Sequence, residues 1–327
     1  MKDFEMKGEM QETSVVYEND ESVCVSLEKK KRNSMSVAER KKYMFLLGLF
    51  AVPFINFAVF WVYLNISAVD FAFRSPAEDG YTLQNFRTMF RLMTTPDSIF
   101  WISVKNTVLY WFLTAIVSYM VALIIGYFLY KKVPGHGFYR FMFYLPNLIA
   151  PTILVALFKQ IIAANGPISL FYEKATDVPK FLADSEIAIY TCLFYSLFFG
   201  FGTNLLIISG AMSQIDASII DAGKIDGANI WQEMLIIVIP VIWPTIVANM
   251  ISSIAGIFNA SGPILLLTNG NYNTMTISFW IYQQTTGSNY YLSAAIGLFF
   301  AIIAIPLTMF SRWLLRRVVP SNDSEEA

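Results

Sequence analysis

The chain holds 327 residues, 56% of them hydrophobic and 16% aromatic, and only 14% charged, against roughly 25% in soluble domains. Such a composition excludes a water-soluble globular domain and reads as an integral membrane protein. The net charge of −1 hides a segregation: the first 42 residues carry both signs densely, whereas nothing between Glu233 and Arg312 is charged. That balance argues neither for nor against an acidic partner, and nothing suggests nucleic acid.

In chain order, residues 1–42 form a polar tail with the runs "EKKKRN" and "ERKK". It reads as a solvated segment, and its placement ahead of the first apolar run is unlike a signal peptide. Cys24 falls in this tail and Cys192 in an apolar run, so a disulfide between them is not expected, and two Cys with one His make no metal set. A hydrocarbon core about 30 Å thick needs roughly 20 apolar helical residues. Tyr43–Ile66 meets this, then Asn106–Tyr130, then Phe141–Ile162, the weakest because Pro146, Pro151 and Lys159 interrupt or edge it. His136, in "KKVPGHGFYR", reads as a turn residue in the short polar loop before that third span. Ile187–Met212 makes a fourth.

The long uncharged stretch divides at "TNGNYNTMT" and "QQTTGSNY", which are turn-rich and polar. A fifth span then covers Ile237–Leu267 and a sixth Tyr291–Ser311. "ISFWIYQQ", Ile277–Gln284, is too short to cross and packs at the outer surface or re-enters. Six spans put both termini on one side. With that side inward, the inner segments hold nine Lys or Arg before Tyr43, three in 131–140, Lys224, Arg312, Arg316 and Arg317, so 16 of the 23. The positive-inside tendency therefore expects both termini in the cytoplasm.

Between spans four and five lies "ASIIDAGKIDGANIWQEMLIIVIP". Asp216 can cap a short helix with Ile219, Ile220 and Ala222 on one face and Asp221 and Lys224 three apart on another. Gly227 ends it, and a second helix starts near Ala228 and runs unbroken to Ile239. A surface helix turned by glycine into a crossing helix suits docking to a soluble partner, although an amphipathic connector would show the same pattern.

Residue identity shifts that balance. "DAGKIDGANIWQEMLIIVIP" resembles the signature of binding-protein-dependent ABC importer permeases: Glu-Ala-Ala, three residues, Gly, nine residues, then Ile-x-Leu-Pro. Asp221, Ala222 and Gly223 stand for the first three, Gly227 for the glycine, and Ile237, Ile239 and Pro240 for the end. The departures are Asp for Glu, Gly for the second Ala and Ile for Leu. The resemblance covers roughly residues 101–317, including "NTVLYWFL" and "FYRFMFYLPNLIAPTILVALF". It is nearest the sugar-importing branch of maltose and multiple-sugar permeases, and "LLLTNGN" is similar to a sequence of the first-type partner in that permease pair, which also has an extra N-terminal span.

The resemblance implies an all-α integral membrane protein with the type I ABC importer permease fold: six transmembrane helices and a cytoplasmic coupling helix between helices four and five. The layout would be a tail over 1–42, the permease domain over 43–312 with its coupling loop at 213–236, and a second tail over 313–327. It implies a bacterial cytoplasmic membrane, a second homologous permease subunit, an ABC ATPase dimer and an extracytoplasmic sugar-binding lipoprotein. Asp221, Ala222, Gly223, Asp226 and Gly227 would meet the ATPase. Having no Gly-x-x-x-x-Gly-Lys-Ser/Thr loop, the chain is expected to hold no cofactor itself and to leave MgATP to that partner; it would be a transport subunit and not an enzyme.

Polar groups inside spans line a path or satisfy another helix. Span four offers Phe199, Gly200, Thr203 and Asn204, and span five Asn249, Ser252, Ser253 and Asn259, a mixture that suits saccharide hydroxyls and rings. In the maltose-type permease the sugar contacts come from these two stretches, with Gly200 and Ser253 matching in identity. The plain alternatives are that Ser252 with Gly256 forms a small-residue pair for helix packing and that Asn204 bonds only a neighbouring helix. The aromatic runs "FMFYLP" and "FWIYQQ" read as interface anchors rather than a sugar platform. Among other functions, a permease for a non-sugar solute shares the loop, a secondary transporter would want an intramembrane ionisable site, and a membrane enzyme would want a cluster of His, Cys or carboxylates near a span interior.

Overall fold

The computed structural model describes residues 37–75, 78–172 and 178–318. Cys24, most of the N-terminal tail and residues 319–327 lie outside the described residues. The chain divides into two units, residues 1–65 and 66–327. In the first, helix α1 (Val37–Phe57) passes into a π-helical turn at Ala58–Tyr63. Phe45, Leu47, Phe54 and Phe60 stand exposed along it, as side chains facing lipid would.

The second unit contains a short antiparallel pair, β1 (Arg74–Ser75) and β2 (Glu78–Tyr81), with Arg74 opposite Tyr81, a small exception to the all-helical expectation. Its helices include Gln84–Thr94 and, after it in chain order, α2 (Ile99–Phe112), α3 (Ser118–Tyr130), α4 (His136–Leu148), α5 (Pro151–Ile162), α6 (Ala188–Met212), α7 (Ala217–Ile225), α8 (Trp243–Ala255), α9 (Ile277–Thr286) and α10 (Tyr290–Val318). In hydrocarbon every backbone N–H and C=O must be bonded within the chain, which is why the apolar runs wind into helices.

Five helices among the described residues are long and apolar enough to cross a membrane, and a bent pair, taken as one span, brings the number to six. The second crossing, Ile99–Tyr130, extends seven residues beyond the expected Asn106 start, joining α2 to α3 through a π turn at Leu113–Val117. The third is not one helix over Phe141–Ile162: α4 ends at Leu148 and α5 begins at Pro151. Proline disfavours the helical conformation for the residue before it, and Ala150 accordingly sits at ψ 132°.

The fifth crossing is also broken, against the continuous Ile237–Leu267 helix expected. Ile230–Val241 and α8 meet at a bend of 68°. Pro240 and Pro244 flank it; each removes a backbone donor and crowds the preceding turn. Beyond α8 the chain makes a 3-10 turn at Ile257–Asn259 and one short helix, Ile264–Leu267.

Two buried clusters organise the unit, and α6 serves both. Ile189, Cys192, Leu193 and Tyr195 join Phe100, Trp280, Ile296 and Phe300 at one end. Leu205, Ile208 and Met212 join Tyr127, Ile220, Met234 and Val238 at the other, beside the loop between α6 and α8. Close approach of α3 to α6 depends on Gly126, where a Cβ would stand 3.1 Å from the Ile208 Cγ2. Between α6 and α4, a Cβ at Gly202 would collide with the Asn147 side chain and lie 2.9 Å from the Phe143 carbonyl oxygen.

Of the aromatic run "FWIYQQ", only Tyr282 is exposed like an anchor. Phe279 and Trp280 are buried, because α9 packs inward against α2 and α10. The turn before α9 is clamped to α2: the Asn106 amide donates to the carbonyls of Asn273 and Met275 at 2.6 and 2.8 Å, and the Ile277 N–H donates to the Thr107 hydroxyl at 2.9 Å. Asn106→Ala should cost about 1–3 kcal/mol for each carbonyl left unpaired. Asn106→Asp, lacking the donor, should fare no better; the unfolding temperature of the detergent-purified chain tests both.

Candidate functional site

The loop between α6 and α8 is a built element with specified ends. Asp216 caps α7, its carboxylate accepting the Ser218 N–H at 2.9 Å, as the sequence anticipates. That bond holds the carboxyl below the usual carboxylate range. The cap is therefore present above the ordinary carboxylate range and fades as pH falls through the lowered value.

Gly227 closes α7 at φ +77°, with its N–H on the Lys224 carbonyl at 3.1 Å and the Ala228 N–H on the Gly223 carbonyl at 3.0 Å. This is a Schellman closure, and it places glycine where a Cβ is disfavoured. The crossing helix opens one residue later than the sequence suggests. Asn229 is its cap and forms a reciprocal box with Gln232: each backbone N–H donates to the other's side-chain oxygen at 2.9 Å. The Asn-x-x-Gln pattern carries this signal in the sequence. Asn229→Ala should cost about 1 kcal/mol, seen as faster hydrogen exchange at Gln232 without loss of the span.

The crossing helix does not run unbroken to Ile239, because Glu233–Val238 is a π turn. At its start, Glu233 is buried and both its oxygens lie 2.8 Å from the Lys131 Nζ, just beyond α3. The Tyr127 hydroxyl donates to the Ile230 carbonyl at 3.1 Å. Gly223, buried on α7, faces Ile237, whose side chain a Cβ there would strike. The loop is thus fastened to α3 and to its own crossing helix.

Of the expected coupling residues, Asp221, Ala222, Asp226 and Gly227 are exposed, whereas Gly223 uses its small size inside the chain. Ile220, placed on a common face with Ile219 and Ala222 by the sequence, is instead buried in the loop-side cluster. Asp221 is paired with Lys224 at 2.7 Å, which raises the lysine's pKa. The exposed apolar residue missed in sequence is Ile225, 86% accessible at the tip of α7. Its signal was position alone, one helical turn past Ala222.

Four of the eight expected path residues meet. Asn204, Asn249, Ser252 and Ser253 line one cavity of about 250 Å3 between α6, α8 and the second crossing. Thr114 and Tyr119 join them from the second crossing, in positions the sequence did not single out. Asn204 also does what the plain alternative proposed, donating to the Ser118 hydroxyl at 3.1 Å. The Tyr119 hydroxyl is buried without a partner. A Cβ at Gly256 would meet the Ser252 and Ser253 carbonyls of its own helix and, among the described residues, no neighbouring helix within 4 Å.

The other four lie elsewhere. Phe199 packs in the aromatic run against Tyr195, with ring centres 4.8 Å apart. Gly200 faces open space, Thr203 is exposed near Asn147, and Asn259 is exposed at the end of its 3-10 turn.

A helical multi-span chain with a polar cavity among its crossings and a capped helix at one end fits the class of solute permeases. The sequence comparison names the family. The family of binding-protein-dependent transport system inner membrane components matches residues 118–322, and the chain belongs to it. A probable ABC transporter permease, YesP of Bacillus subtilis strain 168, is 27% identical over 266 residues, 78% of this chain and 83% of its own length. The arabinooligosaccharides transport system permease AraP of the same strain is 24% identical over 278 residues, 80% of this chain and 86% of its own. A chain of a bacterial ABC transporter that imports the acidic polysaccharide alginate has the same fold, with a TM-score of 0.73 and 22% identity over 85% of this chain and 97% of that one.

Proposed function

We propose that this chain is one half of a heterodimeric pore in an ATP-driven importer of oligosaccharides, and that it receives its motion through α7. The observation that carries the reading is the foot itself: a helix capped at both ends and seated on a crossing helix that is bonded to α3, with Asp221, Ala222 and Ile225 left facing outward. A separate ABC ATPase dimer holding MgATP would seat on that face. Asp221 would exchange Lys224 for a basic group of the ATPase, and because an exposed ion pair is worth about 0–1 kcal/mol, apolar fit at Ala222 and Ile225 would carry more of the contact. Both termini and the foot would face the cytoplasm of a bacterial cell, following the basic-residue bias.

A cavity of about 250 Å3 is below the roughly 300–1,000 Å3 of complete small-molecule sites, which suits a half-site completed by a second permease subunit. Sugar is the favoured cargo because carbohydrate systems stand among the relatives and the cavity offers amides, hydroxyls and a tyrosine. An extracytoplasmic binding lipoprotein would deliver it. The test is reconstitution of the chain with the permease, ATPase and binding protein encoded beside it: ATP-dependent saccharide uptake, and a crosslink from a cysteine at Ile225 to the ATPase, are the expected results. Uptake without the ATPase would remove the coupling reading, and uptake of only a non-sugar solute would keep the foot but change the cargo.

A further inference from the structure

At the end of the bundle that carries the foot, α3, α4 and α6 enclose a pocket of about 300 Å3. Lys132, His136 and Arg140 line it together with Ser209 and Ser213. No carboxylate among the described residues forms an ion pair with any of these three basic side chains; the Arg140 guanidinium lies over the Tyr144 ring, 5.8 Å from its centroid. The Ser209 hydroxyl is shielded from solvent and has no hydrogen-bond partner. His136 is not the turn residue expected from the sequence but the first residue of α4, following Gly135 at φ +81°. The positive end of that helix therefore points toward the same space.

An apolar groove of about 490 Å3 begins at the same arginine. Arg140 lines both cavities, and from it the groove passes Phe141, Tyr144 and Leu148 on α4 and Leu206 on α6. The Tyr144 hydroxyl is another buried group without a partner. A basic pocket with hydroxyls, opening into an apolar channel along the spans, has the polarity of one kind of molecule: a charged head at the membrane surface joined to a hydrocarbon tail.

We infer that this is a binding site for an anionic phospholipid, its phosphate held among Lys132, Arg140 and Ser209 and one acyl chain laid along α4 and α6. Basic pockets between spans recognise such headgroups, whose phosphate oxygens pair with guanidinium and ammonium donors. A free phosphate or an acidic sugar would satisfy the pocket but leave the groove unused. Because the lipid would bridge α4 to α6, next to the segment leading into α7, it would brace the bundle at the foot.

The test uses photoactivatable phosphatidylglycerol in membranes containing the full chain, with adducts mapped by mass spectrometry. Adducts are expected on α4 and on the Thr203–Ser213 stretch of α6. Replacing Lys132 and Arg140 together by alanine should lower them at least roughly tenfold, given the worth of two cations near an anionic headgroup. Because a Cβ at Gly137 meets nothing within 4 Å, Gly137→Phe can fill the groove without touching the charges. It should lower labelling while the chain still elutes as a folded species. Equal labelling by photoactivatable phosphatidylcholine, or labelling unchanged in both variants, would overturn the site. Loss of labelling on adding millimolar inorganic phosphate would overturn it in favour of a free anion, and loss on adding an acidic oligosaccharide in favour of a point on the transport path. The labelling needs neither transport nor the ATPase, so its failure is distinct from failure of the importer reading.

Discussion

Lys131→Ala is expected to destabilise the chain by about 3–5 kcal/mol, the range for stripping one partner from a buried ion pair. The effect should be unequal between the partners. The Glu233 side chain is 4% exposed and that of Lys131 25% exposed, so a widowed lysine can turn to water where a widowed carboxylate cannot. Glu233→Gln should therefore cost less than Lys131→Ala. Replacing both by methionine should recover most of the loss, because an apolar pair needs no desolvation. Thermal unfolding of the purified chain reads all three. A Lys131→Ala chain as stable as the parent would show that the pair does not fasten the foot.

The second large effect separates the shape of the foot from its surface. Gly227→Pro forces φ from +77° to about −65° and deletes the donor to Lys224, at about 3 kcal/mol or more. It should abolish transport and ATPase stimulation while leaving the chain in the membrane. Ala222→Trp touches only an exposed position and should shift stability by about 0.5 kcal/mol or less, yet abolish the same two activities by blocking the ATPase cleft. Full uptake by the Ala222→Trp chain would end the assignment of α7 as the docking face.

The residues that sequence reading located are those whose meaning is local. Asp216 as a cap and Gly227 as a stop follow from backbone rules within one turn, and both stand where expected. The crossings follow from length and hydropathy, but their interiors do not. Pro146 and Pro151 announced trouble without saying whether the helix would bend, break or continue, and Pro240 stood in the sequence only as the end of a signature inside one unbroken span. The chain breaks between Leu148 and Pro151 and bends by 68° between Pro240 and Pro244, outcomes that the prolines permit and the packing of whole helices selects.

What stayed hidden is long-range. Lys131 and Glu233 are 102 positions apart; in the sequence one counts toward the inner basic excess and the other marks the edge of an uncharged stretch. Thr114 and Tyr119 are ordinary span residues until α6 and α8 are set beside them. Asn229 and Gln232 are the exception, since their spacing was legible and was passed over.

The π-helical turn at Leu113–Val117 has a consequence for sequence change. A π turn holds one residue more than an α-helical turn, and one residue corresponds to a rotation of about 100°. Deleting a single residue there would let the segment rewind as ordinary α-helix with the residues on both sides still in register, because the lost residue was the extra one. Deleting one from the regular helix would instead rotate everything after it by about 100°, carrying Tyr119 from its cavity and Lys131 from its carboxylate. For this span, the π turn is where the loss of one apolar residue would do least harm.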